Sequence, residues 1–167
     1  MSRSTAIIQG MLAGTYGAGC MSVLRMGARR WGLIDATPPQ ATKAWLARRT
    51  RVEPEHPGAH HLLDTLVHLG VSAAGGGLYG TLVDPPRRPS LAGGALFGLG
   101  VWAVAFGLVS PSLGITRSPR RSSAAENAIN VVAHALYGAS LALVAGELGR
   151  QAAGARGTPG RPSARVG

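Results

Sequence analysis

Cysteine is almost missing from this sequence. Cys20 is the only one in 167 residues, so no intramolecular disulfide can form and no thiolate set exists for a zinc site or an iron–sulfur cluster. Charge is scarce too: Asp, Glu, Lys and Arg make up 14% of the chain, where soluble domains carry about 25%. Acids are the rarer sign, seven against seventeen Lys and Arg, which leaves a net charge of +10. That excess raises nucleic acid as a partner, but a nucleic-acid surface sets its cations along one face with aromatic or helical readers between them. Aromatics are only 5% here, and the cations cluster at the ends of uncharged runs, where membrane proteins keep them for headgroups and orientation. No nucleic-acid partner is expected.

A cleaved leader is not expected either. The segment from Ala6 to Cys20 follows Arg3 and imitates a signal peptide. A lipoprotein site, however, needs a branched apolar residue three before its cysteine, where Gly17 stands, and no small-residue cleavage site precedes a soluble mature domain. The segment reads as a retained helix.

What the sequence has in quantity is apolar residues, 46% of the chain, and 25 glycines. Four stretches are long enough to cross a hydrocarbon core of about 30 Å, which takes about 20 residues: 4–24, 62–83, 91–110 and 127–146. Asp64 is the only formal charge within them. Soluble helices keep a polar face, and these four have none. The expected fold is therefore all-α, a four-transmembrane-helix bundle over residues 1–150 with the lipid bilayer as its surroundings.

The glycines are spaced for helix packing. Gly10 and Gly14, Gly76 and Gly80, Gly94 and Gly98, then Gly138, Ala142 and Gly146 recur at intervals of four. In lipid such small-residue stripes let backbones approach closely, whereas in a water-exposed helix each glycine costs about 1 kcal/mol relative to alanine. Leu12, Leu78, Leu96 and Phe97 interrupt the glycines, which excludes a flexible linker.

Breakers mark the connections. Asp84-Pro85-Pro86-Arg87-Arg88-Pro89 is a short turn that predicts antiparallel, neighbouring second and third spans. The loop 25–59 is longer; within it Thr37 followed by Pro38 and Pro39 reads as a helix start. A short amphipathic helix over 38–51 is expected at the interface, with Trp45 and Leu46 toward lipid, a plain soluble turn-helix being the alternative. The Gly-, Pro-, Arg- and Ser-rich segment 151–167 reads as a disordered basic tail. An internal repeat is also visible at an offset of 66, where Asp64-x3-His68 falls on Asn130-x3-His134 and Gly80 falls on Gly146. Two copies of a helical hairpin would explain it.

Polar groups stand at matching places. His61, Asp64 and His68 lie at i, i+3 and i+7 at the start of the second span, and Glu126, Asn130 and His134 lie at i, i+4 and i+8 at the start of the fourth. Each set shares one helical face. An even number of crossings separates the two spans, so both faces enter from the same side and His68 and His134 reach similar depth. Ionisable groups at such depth turn inward toward one another or water, which predicts one shared His/carboxylate cluster.

Three readings of that cluster stay open. The groups can simply hydrogen-bond across helices and fix packing. They can form a proton-responsive site, because histidine titrates near neutral pH. His68 and His134 can also ligate haem iron or a metal ion, although no Glu-x-x-His pair is present. Enzyme templates are weak: Ser22, Ser72, Ser110 and Ser140 lack a nucleophile-elbow context, and no phosphate-binding glycine loop with lysine occurs. Catalysis is not expected.

The arrangement resembles the bacterial YagU-like inner-membrane proteins, a group of unknown biochemical function. The resemblance covers about residues 5–150. It is carried by Ala13-Gly14 in the first span, the basic stretch and Pro38-Pro39 after it, and His60, His61 and His68. The run LAGGALFGLG and the step from Glu126-Asn127 to His134 complete it. Asp64 departs from the pattern, standing where an amide is more usual, as does the shorter first loop. The resemblance implies a four-helix inner-membrane protein with a link to acid tolerance and both termini in the cytoplasm. Charge alone does not decide orientation: the N-terminus, the Arg87-Arg88 turn and the tail hold seven cations and the other two loops ten, with Arg25 expected to snorkel outward. The functions expected are a pH-tuned inner-membrane protein, a scaffold subunit assembling as a homo-oligomer or membrane complex through its glycine faces, or a haem or metal protein.

Overall fold

The computed structural model describes residues 2–34, 38–50, 57–83, 90–116 and 118–156. His61 and Asp64 sit on a described helix, but their side chains lie outside the described residues. Within those limits the chain is all-α: α1 (Arg3–Arg30), α2 (Pro38–Thr50), α3 (Pro57–Leu82), α4 (Leu91–Ser112), a 3-10 turn (Pro119–Arg121) and α5 (Ala124–Arg156).

Local chemistry sets the helix ends. Ser2 opens α1 by accepting the Thr5 N–H, Ser90 opens α4 by accepting from Gly93, and Ser123 accepts from Glu126 at the start of α5, each satisfying a donor the helix cannot. α1 closes at Gly32, where a φ of 70° lets the Gly32 and Leu33 N–H groups reach back to Arg29 and Ala28. This is a Schellman cap. It lies beyond Arg25, so the helix runs six residues past the predicted end of the first span at Leu24, and Arg25 belongs to the helix rather than to the loop. α5 likewise runs past its predicted end at Gly146 and through the first six residues expected in a disordered tail. Glu147 holds that extension by accepting from Arg150 and, at 3.0 Å, from Gln151. Residues 157–167 of the predicted tail lie outside the described residues.

α4 contains a π turn, Ala105–Val109. Pro111 has no N–H to give to Gly107, one turn earlier, and the helix locally widens instead. It ends in a second Schellman cap at Gly114, φ 71°, with Gly114 and Ile115 donating to Pro111 and Ser110.

The closely packed helix pairs are α1 with α3, α4 with α5, and α1 with α5. Register fixes their directions. Gly10 meets Gly76 while Gly14 meets Ser72, and Gly94 meets Gly138 while Gly98 meets His134. Gly17 meets Tyr137 while Arg25 reaches Asn130. Each pair is antiparallel, so α3 and α5 run parallel and enter from the same side. α3 and α4 are antiparallel, as the short proline turn predicts, but among the described residues they are not a close pair. They meet through the Tyr79–Phe97 edge-to-face ring pair, 5.1 Å between centroids. The glycine crossings explain why: α1 with α3 and α4 with α5 come into backbone contact, and side-chain-bearing surfaces are left facing each other between α3 and α4. The two hairpins cross alike, but Ser72 and Gly76 correspond in these crossings to His134 and Gly138, an offset of 62. That is one helical turn from the offset of 66 suggested by the sequence.

The interior is built of small residues. Ala13, Ala18, Ala133 and Ala142 are essentially fully buried, and Leu141 is the one large side chain completely enclosed among the described residues. Leu12, Val23, Leu78, Leu82, Leu96 and Leu108 face outward. That is the reverse of a water-soluble core, where the large apolar side chains go inside. Among the described residues, three helices are long and apolar enough to cross a membrane, Arg3–Arg30, Leu91–Ser112 and Ala124–Gly154. α3 is 26 residues long, but His68, Gly75, Gly76 and Gly77 dilute its apolar character.

Candidate functional site: a buried guanidinium between two histidines

The polar site is organised by a residue read from sequence as a headgroup contact. Arg25 is 4% exposed. Its guanidinium turns into the bundle, where one terminal nitrogen donates to Asn130 Oδ1 at 3.1 Å and the other lies 3.0 Å from Met21 Sδ. Its Nε is buried with no hydrogen-bond partner. No carboxylate pairs with it among the described residues. Arginine cannot shed its proton in a protein, so the site carries a fixed positive charge.

Both span histidines are beside it. Arg25 is near enough to act electrostatically on each imidazole, and His68 is near enough to act on His134. His134 is 6% exposed. Its Nδ1–H donates to the Asn130 carbonyl one turn back at 2.7 Å, because a carbonyl can only accept, and the neutral ring therefore keeps Nε2 as its acceptor. The Phe106 ring meets it edge-on with centroids 5.3 Å apart. His68 Nε2–H donates to Ala18 on α1 at 3.4 Å, a long and weak bond. One turn further in, Tyr137 donates to the Ser72 carbonyl at 2.7 Å and ties α3 to α5.

These groups border a cavity of about 290 Å³. Arg25, His68, His134 and Thr116 give it polar character, and Thr116 Oγ1 is another buried atom without a partner. Much of the remaining wall is apolar, including Val67, Val71, Val101, Phe106, Val109 and Ile115. α2 supplies Thr42 to the lining, and Trp45 anchors that helix by donating to the Leu113 carbonyl at 2.7 Å. Trp45 is thus a tether to the bundle, with Arg49 over its ring, rather than a lipid-facing residue.

Of the six predicted cluster residues, His68, Asn130 and His134 come together. Glu126 is half-buried at the start of α5 with its N–H capped by Ser123, and it is not in the cavity lining. His61 and Asp64 fall on side chains outside the described residues. In the described site the charged partner of the histidines is therefore a cation from α1, where the sequence suggested carboxylates. Among the described residues no group of three His, Cys, Asp or Glu side chains could hold a metal ion. The signal that could have found Arg25 is its place five residues inside the Arg30 helix end, level with Asn130 on an antiparallel partner.

The nine predicted packing positions are placed as follows. A Cβ on Gly10, Gly14, Gly76, Gly80, Gly94, Gly98 or Gly138 would overlap the backbone of a neighbouring helix of this same chain. Ala142 packs against Gly94, and Gly146 is buried.

Among the described residues, the fold and site thus define an all-helical protein with three helices long and apolar enough to cross a membrane and a cavity that carries a buried cation. No family model, curated protein or solved structure matches the chain.

Proposed function

We propose that this chain is a four-span protein of the bacterial inner membrane whose bundle binds an anion at Arg25, with α3 as the fourth span. The observation that carries the reading is the Arg25 guanidinium, 4% exposed, facing a cavity with one N–H unmet and no carboxylate beside it among the described residues. A buried charge without a counter-ion is costly, and an anion in the cavity would remove that cost. The same charge opposes the haem or metal alternative at His68 and His134, because a second cation would stand against it. The pH response in this reading comes from the two imidazoles beside that fixed charge, where the sequence suggested a His/carboxylate cluster. An imidazole that gains a proton adds a positive charge facing the anion, so the complex binds more protons than the free protein and affinity rises as pH falls. Among the described residues, the charged and titratable groups facing the site are Arg25 on α1, His68 on α3, and His134 and Tyr137 on α5; α4 contributes none.

The scaffold reading is weakened by the glycines. The faces nominated for assembly are occupied inside the chain, which leaves a homo-oligomer or membrane complex to other surfaces. The YagU-like resemblance supports the inner membrane and cytoplasmic termini, which would turn the cavity end of the bundle to the periplasm.

The test is thermal melting of the detergent-purified protein against inorganic phosphate and acetate at constant ionic strength. A saturable rise in Tm is expected with both anions and absent in Arg25→Gln; for acetate, which is mostly a monoanion at both pH values, it is larger at pH about 5.5 than at about 8. A Tm insensitive to both anions at every pH refutes the reading.

A further inference from the structure

We infer that the occupant of this cavity is a single-chain amphiphile with an anionic head, drawn from the surrounding bilayer. This rests on the anion site proposed above and names its ligand class.

Three observations point beyond a free anion. The cavity sets one guanidinium and two imidazoles against a wall that includes four valines, an isoleucine and a phenylalanine, so a ligand must offer one charge and an apolar body. A small hydrated anion would leave that wall against water. At about 290 Å³ the space sits at the lower edge of small-molecule pockets, about 300–1,000 Å³. It accommodates a head and the first carbons of a chain, and the rest must leave.

The exit is in the fold. Of the four long helices, α3 and α4 are the consecutive pair that does not pack closely, and the cavity is walled from both, by Val67 and Val71 on one side and Val101 and Val109 on the other. Val71 and Val109 line the cavity and are also exposed on the outer surface, 67% and 44%, so the space opens between these helices toward what surrounds the bundle. The depth also fits. Arg25 lies five residues before the end of α1 and Asn130 six after the start of α5, each about 8–9 Å along its helix at 1.5 Å per residue. That is the level at which a headgroup gives way to acyl chain. The π turn of α4 supports the same opening: it falls on the cavity wall, carries Phe106 and Val109, and widens the helix where a bulge commonly serves a site.

The experiment uses the full chain in phosphatidylcholine nanodiscs and reads Tm against dodecanoate, dodecanol and acetate. Dodecanoate is expected to raise Tm saturably, and acetate to do so only at a concentration about a hundredfold higher, the effect of burying three or four methylenes. Dodecanol should give no saturable rise. Val71→Trp, which fills the opening from an exposed position and leaves Arg25 intact, should weaken dodecanoate about tenfold. If acetate protects as well as dodecanoate, the anion site stands and the amphiphile is overturned. If dodecanol protects equally, the head is not recognised and the proposal falls. If neither anion protects, both readings fall together. Should Arg25→Gln not fold, Arg25→Lys substitutes for it: weaker protection by both carboxylates supports Arg25 as the seat of the head, and an unchanged response to both overturns it.

Discussion

At the scale of single residues, position along the helix is not enough to say what a glycine or an arginine does. Gly98 and Gly100 are two residues apart on one helix, yet a Cβ on Gly98 would strike the His134 carbonyl and one on Gly100 would meet open space. Gly98→Ala should therefore force α4 away from α5 and lower stability by about 1–3 kcal/mol, while Gly100→Ala should be neutral or gain up to about 1 kcal/mol of helix propensity. Melting the two variants in detergent side by side checks this, and equal effects would remove the close crossing. Tyr137→Phe is expected to cost about 1 kcal/mol through loss of its bond to the Ser72 carbonyl, read in the same assay. His68, Asn130 and His134 were legible as a group because helical periodicity alone puts them on inward faces. Arg25 was not, since a cation near a helix end is ordinarily solvated, and only the antiparallel approach of Asn130 turns it inward.

Elements show the same division. The spans were visible as long uncharged runs, but their ends were set by caps the runs do not contain: Gly32 and Gly114 adopt positive φ and decide where α1 and α4 stop. Gly114→Ala should strain that cap by about 1–2 kcal/mol and loosen the segment carrying Ile115 and Thr116 into the cavity. The π turn has a sharper consequence. Pro111→Ala restores an N–H that can bond Gly107, so α4 is expected to return to regular α-helix and draw Phe106 away from His134. Weaker dodecanoate binding with little change in Tm is the expected result; unchanged binding would detach the π turn from the site. The pairing of helices was legible only in part. Connection length suggested that α3 and α4 would lie side by side, yet the glycine crossings commit α3 to α1 and α4 to α5, and loop length carries no information about which faces are smooth.

For the whole molecule, the arrangement of small residues inside and large apolar ones outside predicts behaviour before any ligand is considered. The protein should remain in the membrane fraction after alkaline carbonate washing and require detergent for extraction; recovery as a folded, soluble monomer without detergent would contradict the membrane reading and everything placed on it. Engineered cysteines at positions 2 and 86, in a Cys20→Ala background, should be labelled from the same face by a membrane-impermeant thiol reagent if all four long helices cross. Opposite faces would mean that α3 does not.

The sequence by itself determined the class of fold and the presence of helices apolar enough to cross a membrane, because scarcity of charge over about 20 residues at a time leaves a helix without a polar face. It also determined which helix faces could approach closely, since glycine spacing is written in one dimension. What only the tertiary structure decided is who meets whom: that the glycine faces close within the chain, that α3 and α4 stand apart over a cavity, and that a guanidinium, two imidazoles and an amide converge there. Those are contacts between residues more than a hundred positions apart in the case of Arg25 and Asn130. Such contacts depend on helix direction, rotation and register together, and no local pattern fixes all three.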